Sequence, residues 1–138
     1  METTESGVEE ILDVSGRVLA IVIKSAVAPT STTFVTPDEA ALQVGFVVYG
    51  AGGEVARHRH LPIERNILGT SEVIVIRKGS TAVRIYDDAG QPVARRDLSV
   101  GDVVLMTAGG HGFEMLEDTI LLEIKQGPYT GVQEKERF

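Results

Sequence analysis

Cysteine is absent from the 138-residue sequence. That excludes a disulfide framework and any thiolate metal site, and it makes a cytoplasmic location the default expectation. No stretch approaches the roughly 18 consecutive apolar residues that a spanning helix needs, so no membrane is expected as partner. The N-terminal stretch METTESGVEE is acidic and polar, the opposite of a secretory leader. Basic charge is scarce as well. Thirteen Lys and Arg face twenty Asp and Glu, a formal net charge of −7, which argues against nucleic acid as the main partner. Local arginines (Arg57, Arg59, Arg65, Arg77, Arg84) still allow a small anionic ligand. There is no internal repeat, low-complexity tract or Pro/Ser-rich linker, so a single domain over residues 1–138 is expected.

What the sequence does hold is strand material. Hydrophobic residues make up 43% of it, and fifteen glycines punctuate short runs of Val, Ile, Leu and Thr. That is the pattern of many short strands joined by turns. Strands are predicted at Arg17 to Lys24, Thr32 to Thr36, Leu42 to Tyr49, Glu54 to His60, Glu64 to Leu68 and Glu72 to Arg77. More follow at Thr81 to Asp87, Pro92 to Leu98, Asp102 to Met106, His111 to Leu116 and Thr119 to Gln126. DDAGQP, Asp87 to Pro92, has the chemistry of a hairpin turn with Gly90 at positive φ, while PDEAAL near Asp38 is too short to be more than a turn. The expectation is an all-β barrel or sandwich.

Two of the three histidines, His58 and His60, stand one residue apart in RHRHLPIER; the third is His111. On a strand, alternate residues share a face, so His58 and His60 would point one way and Arg57 and Arg59 the other. The same parity puts Glu72 with Ile74 and Ile76, and His111 with Phe113 and Met115. A carboxylate on an apolar face is costly unless something pairs with it. Imidazoles at i and i+2, about 7 Å apart at Cα, can converge on one ion. A third imidazole and a carboxylate would complete a set suited to one divalent transition metal ion (Fe, Mn, Ni, Co, Zn or Cu).

GGEVARHRH, EVIVIRKG and GDVVLMTAGGHGF together resemble the two motifs of the cupin superfamily, usually written G-x5-H-x-H-x3-4-E-x6-G and G-x5-P-x-G-x2-H-x3-N. Gly52, His58, His60, Glu72 and Gly79 match the first; Gly101, Gly109 and His111 match the second. The resemblance covers about residues 42–126, with N-terminal strands in 1–41 and a tail in 127–138. It implies a double-stranded β-helix, a jelly-roll barrel, holding a metal through His58, His60, Glu72 and His111. Three departures stand out. Eleven residues separate His60 from Glu72, and Glu64 sits at the family's shorter spacing, so it competes for the carboxylate role; the strand and Gly79 that follow favour Glu72. Thr107 replaces the motif proline, with one residue deleted before His111, and Met115 stands where the asparagine would be.

The resemblance implies a metal-dependent enzyme acting on a small polar organic molecule, with dioxygenase and isomerase or lyase chemistry equally open and sugar or polysaccharide metabolism as a family analogy. Glu72 would be a ligand or a general base. Glu64, Arg65, Phe113 and Met115 are candidates for the substrate pocket. The alternatives are a non-catalytic module that binds a sugar or other small ligand, and a structural metal or none. A homodimer is expected, with Arg17 to Lys24 as the candidate edge. The end of the chain, Phe138, is read as part of a solvated tail, with docking on the body or on another subunit as the other choice.

Overall fold

The computed structural model describes residues 6–131 and 134–138. Among them are ten β-strands and no helix, hence none long and apolar enough to cross a membrane. The chain divides into two compact units, the first Met1–Val27 with Thr70–Phe138 and the second Ala28–Gly69.

Unit 1 holds eight of the strands. They are β1 (Val8–Leu12), β2 (Val18–Ile23), β5 (Glu72–Lys78), β6 (Ser80–Tyr86), β7 (Pro92–Ser99), β8 (Val103–Met106), β9 (Gly110–Met115) and β10 (Ile120–Lys125). A five-stranded antiparallel sheet runs β1-β2-β8-β5-β10 and a three-stranded one β7-β6-β9. Neither sheet closes on itself, so both keep edges. One cluster fills the space between them: Ile11, Ala20, Val22, Ile74, Ile76, Val104 and Met106 from the larger sheet meet Val83, Ile85 and Leu98 from the smaller. Each such aliphatic side chain contributes about 1.5–3 kcal/mol on burial. VLAIVI and VVLM are apolar without alternation because both faces of β2 and β8 are buried; Ile21 and Leu105, pointing away from this cluster, are 1% and 0% exposed.

The observed strands from β5 to β10 agree with the predicted ones to within a residue or two at each end, and the hairpin turn is as expected. Gly90 has φ +80°, its N–H donates to the Asp87 carbonyl, and the Asp87 carboxylate accepts from the N–H of Ala89 and Gln91. Three details go beyond or against the expectation. Arg17 to Lys24 is not an edge: β2 lies between β1 and β8. Strand β1 was not anticipated, because Glu9 and Glu10 obscure the apolar pair Val8 and Ile11. Its Glu9 is held by both terminal and inner nitrogens of Arg96 on β7 (Nε 2.7 Å, Nη2 2.8 Å), which ties the two sheets along one side. The described tail residues are exposed, Phe138 at 74%, and the Phe138 ring stands edge-on to Tyr86, centroids 5.2 Å apart, so it also touches the body as the other choice had it.

In unit 2 the predicted strands Thr32 to Thr36 and Leu42 to Tyr49 shorten to β3 (Thr33–Phe34) and β4 (Gly45–Phe46), paired antiparallel. Between them PDEAAL makes a turn, and the Gln43 side-chain amide donates to the carbonyls of Pro37 and Ala40. Glu54 to His60 and Glu64 to Leu68 are not strands. Alternation there would give one face of imidazoles and one of guanidiniums, with no apolar side to bury, and Pro62 removes a donor.

Asp102 anchors the turn that leads into β8. It is 2% exposed, and its carboxylate accepts from Ser25 N–H (2.7 Å), Ser99 N–H (2.8 Å) and Lys24 Nζ (2.9 Å). Burial pushes its pKa up, but these donors together outweigh burial and hold it below the usual carboxylate value. Because the folded form binds this proton more weakly than the unfolded chain, Asp102 stabilises fully above about pH 4. That stabilisation drains away as pH falls through the lower folded pKa. Asp102→Ala should cost about 3 kcal/mol in urea denaturation at pH 7, mostly from two stranded backbone donors. Asp102→Asn should cost less and flatten the acid limb of the stability curve.

Candidate functional site

Glu72 opens β5 and points into the space between the sheets beside Met106 of β8 and Lys125 of β10, its partners in register. His111, second residue of β9, faces it from the smaller sheet, on the side of Ile85. Its Nε2 lies 3.3 Å from Glu72 Oε2; the carboxylate side chain is 11% exposed and the imidazole 33%. The pair therefore sits at the rim of the apolar interior, reachable from solvent through the histidine. The His111 contact does most to hold the Glu72 carboxyl below its usual pKa; burial opposes it, and the ammoniums of Lys125 and Lys135 reinforce it.

The 3.3 Å separation is informative. A charge-assisted N–H···O bond closes to about 2.7–2.9 Å. Two donor atoms that share one metal ion at about 2.1 Å each stand about 3.0 Å apart at a right angle and about 3.4 Å apart at the tetrahedral angle. At 3.3 Å the contact is a long hydrogen bond that leaves lone pairs on the Glu72 carboxylate, and the same spacing is compatible with adjacent positions on one divalent ion.

The turn that delivers His111 is fixed from both sides. Thr107, at the motif proline's position, donates its N–H to Leu19 O (3.0 Å) and its hydroxyl to Val18 O (3.0 Å), tying the turn to β2. A proline could do neither. Gly109 follows with φ +67°, and a Cβ there would run into the Tyr86 carbonyl oxygen.

His58 and His60 belong to unit 2. Both are exposed, with ring centroids 5.2 Å apart at an interplanar angle of 72°. His58 Nδ1 is 2.8 Å from the Ala56 carbonyl. A carbonyl only accepts, so Nδ1 carries the hydrogen and Nε2 of the neutral ring keeps its lone pair. This is the arrangement by which a backbone oxygen orients a metal-ligating imidazole. The two rings are thus brought together by local chain path, not by the strand parity that predicted it.

The four expected ligands accordingly form two pairs, Glu72 with His111 in unit 1 and His58 with His60 in unit 2. Among the described residues no group of three or more His, Asp or Glu side chains forms a metal-holding cluster. Of the pocket candidates, Phe113 is half-buried against the core and Met115 is 47% exposed; Glu64 and Arg65 are exposed in unit 2. Lys125 stands opposite Glu72 through the antiparallel pairing of EVIVI with ILLEIK. Comparison of the chain with protein-family models, curated proteins and solved structures finds no match.

Two outcomes are expected. In metal-free protein, His111→Ala should raise the Glu72 carboxyl titration midpoint, read by carbon NMR, because burial then acts with less opposition; an unmoved midpoint would deny the contact. Gly109→Ala should lower stability by about 2 kcal/mol or more, from left-handed backbone strain and the Tyr86 collision, measurable by thermal melting.

Proposed function

We propose that this protein is a jelly-roll domain of the cupin type that binds one divalent transition metal ion at the Glu72–His111 pair; the motif resemblance alone adds His58 and His60 as ligands. The observation that carries the reading is the Glu72–His111 pair, a buried carboxylate and an imidazole from opposite sheets at a spacing suited to shared coordination. Support comes also from the His58 tautomer and from motif positions that join these four residues in the sequence. Two face-to-face antiparallel sheets over a common core are compatible with a jelly roll.

Such an ion, when bound, would act as a Lewis acid toward a carbonyl or carboxylate of a small polar substrate. The chain's own residues supply the rest. Glu72, kept ionised by its neighbours, is ready to accept a proton as general base if it leaves the ion. The aliphatic floor of Ile74, Ile85 and Val83 excludes water on the inner side, and Phe113 lines the approach. Lys125 adds positive charge beside the carboxylate, which suits an anionic substrate group. On this reading the protein is an enzyme with dioxygenase- or isomerase/lyase-type chemistry on a small polar organic molecule.

Elemental analysis of protein purified without an affinity tag tests the reading. About one equivalent of metal is expected, lost in the His58, His60, His111→Ala triple variant while the circular dichroism spectrum stays β-rich. Glu72→Gln should weaken metal binding by tenfold or more, whereas Glu64→Gln should leave it near the starting value. A larger loss from Glu64→Gln would move the carboxylate to residue 64. Metal retained in the triple variant would end the proposal.

A further inference from the structure

Residues 134–138 belong to unit 1, as do Glu72 and His111. The chain leaves the larger sheet after Lys125, whose partner in register is Glu72. Residues 134–138 bring it to the smaller sheet, where the Phe138 ring stands edge-on to Tyr86. Tyr86 is opposite Gly110, the residue before His111. The two ends of this stretch thus flank the Glu72–His111 pair, one on each sheet.

The seat of Phe138 is specific. A Cβ on Gly110 would stand 2.5 Å from its Cζ, and one on Gly90 3.2 Å from its Cδ2. The ring therefore lies against two positions that carry no side chain. It is also shallow, since Phe138 remains 74% exposed, and one edge-on aromatic pair is a weak tie beside a buried core side chain. Three residues earlier, the Lys135 ammonium is close enough to Glu72 to help keep that carboxyl ionised, as Lys125 does from β10. Its neighbour Glu134 is taken up by the Thr130 hydroxyl, 2.7 Å away.

We propose that residues 134–138 are a displaceable clip: Phe138, seated on Tyr86 beside Gly90 and Gly110, holds the Lys135 ammonium at the Glu72 carboxylate as a built-in counter-ion. The two lysines differ in kind. Lys125 is carried by a strand of the sheet, so its charge stays in place whatever binds. Lys135 is held through one shallow ring contact, and it can leave. A cation that takes a lone pair of Glu72 has to compete with that ammonium, because two positive charges at one carboxylate repel each other. The clip therefore sets the affinity of the rim for cations and is released when one binds. This last step rests on the reading of Glu72 and His111 as a metal site; the clip itself does not.

Carbodiimide cross-linking of the metal-free full chain, read by peptide mass spectrometry, tests the clip, because it joins an amine to a carboxylate only where the two touch. Wild type should give a Glu72–Lys135 link and a Glu72–Lys125 link. Phe138→Ala should lower the first several-fold and keep the second, which the β5–β10 register sets; the second link also shows that the fold is intact. Zn(II) affinity, measured by competition with a chromophoric chelator, tests the competition. Lys135→Gln and Phe138→Ala should each tighten binding by about threefold, the size of a solvent-screened ion pair. Phe138→Ala leaves the charge untouched, so its effect reports position. Arg137→Gln removes the same charge from the same segment and should stay near the wild-type affinity. A missing Glu72–Lys135 link, with the Glu72–Lys125 link present, would overturn the proposal. So would a link indifferent to Phe138→Ala, or a Zn(II) affinity unmoved by both variants. A wild type that binds no Zn(II) would instead refute the metal reading, and the metal-free link would still decide the clip.

Discussion

A carboxylate taken out of water between two β-sheets is unfavourable by several kcal/mol unless other donors replace its solvation. Unit 1 meets that constraint twice, at opposite ends of the interior, and in two different ways. Asp102 is answered completely: two backbone N–H groups and the Lys24 ammonium surround it, and what results is a rivet between β2, β7 and β8. Glu72 is answered incompletely, by one imidazole at 3.3 Å and by ammonium charge further off. A fully satisfied buried acid has no capacity left for chemistry, whereas a partly satisfied one at a solvent-reachable rim retains lone pairs for a ligand. The contrast between the two carboxylates separates scaffold from candidate site on physical grounds.

Much of unit 1 was legible because its strands obey simple rules. EVIVI, STAVRIY and VVLM are short apolar runs bounded by Gly79, Gly90 and Gly101, and parity puts Glu72 on the face of Ile74 and Ile76 and His111 on the face of Phe113 and Met115. What escaped notice depended on partners distant in the chain. Strand β1 pairs with β2, and its Glu9 is taken up by Arg96, 87 residues away. The position of β2 inside the sheet could not be told from VLAIVI, since a run buried on both faces and an exposed edge awaiting cover read alike.

Unit 2 shows the opposite failure. RHRHLPIER alternates, and alternation suggested a strand, yet alternating charge with imidazole supplies no apolar face to bury. The two rings nevertheless come together, since i and i+2 residues lie near each other in many extended paths, and Ala56 orients one of them. The proximity of His58 and His60 therefore follows from their nearness in the chain and not from a shared strand face. Gly109 is a cleaner case: the motif glycine was legible, but the reason for it, the Tyr86 carbonyl lying under its α-carbon, was not.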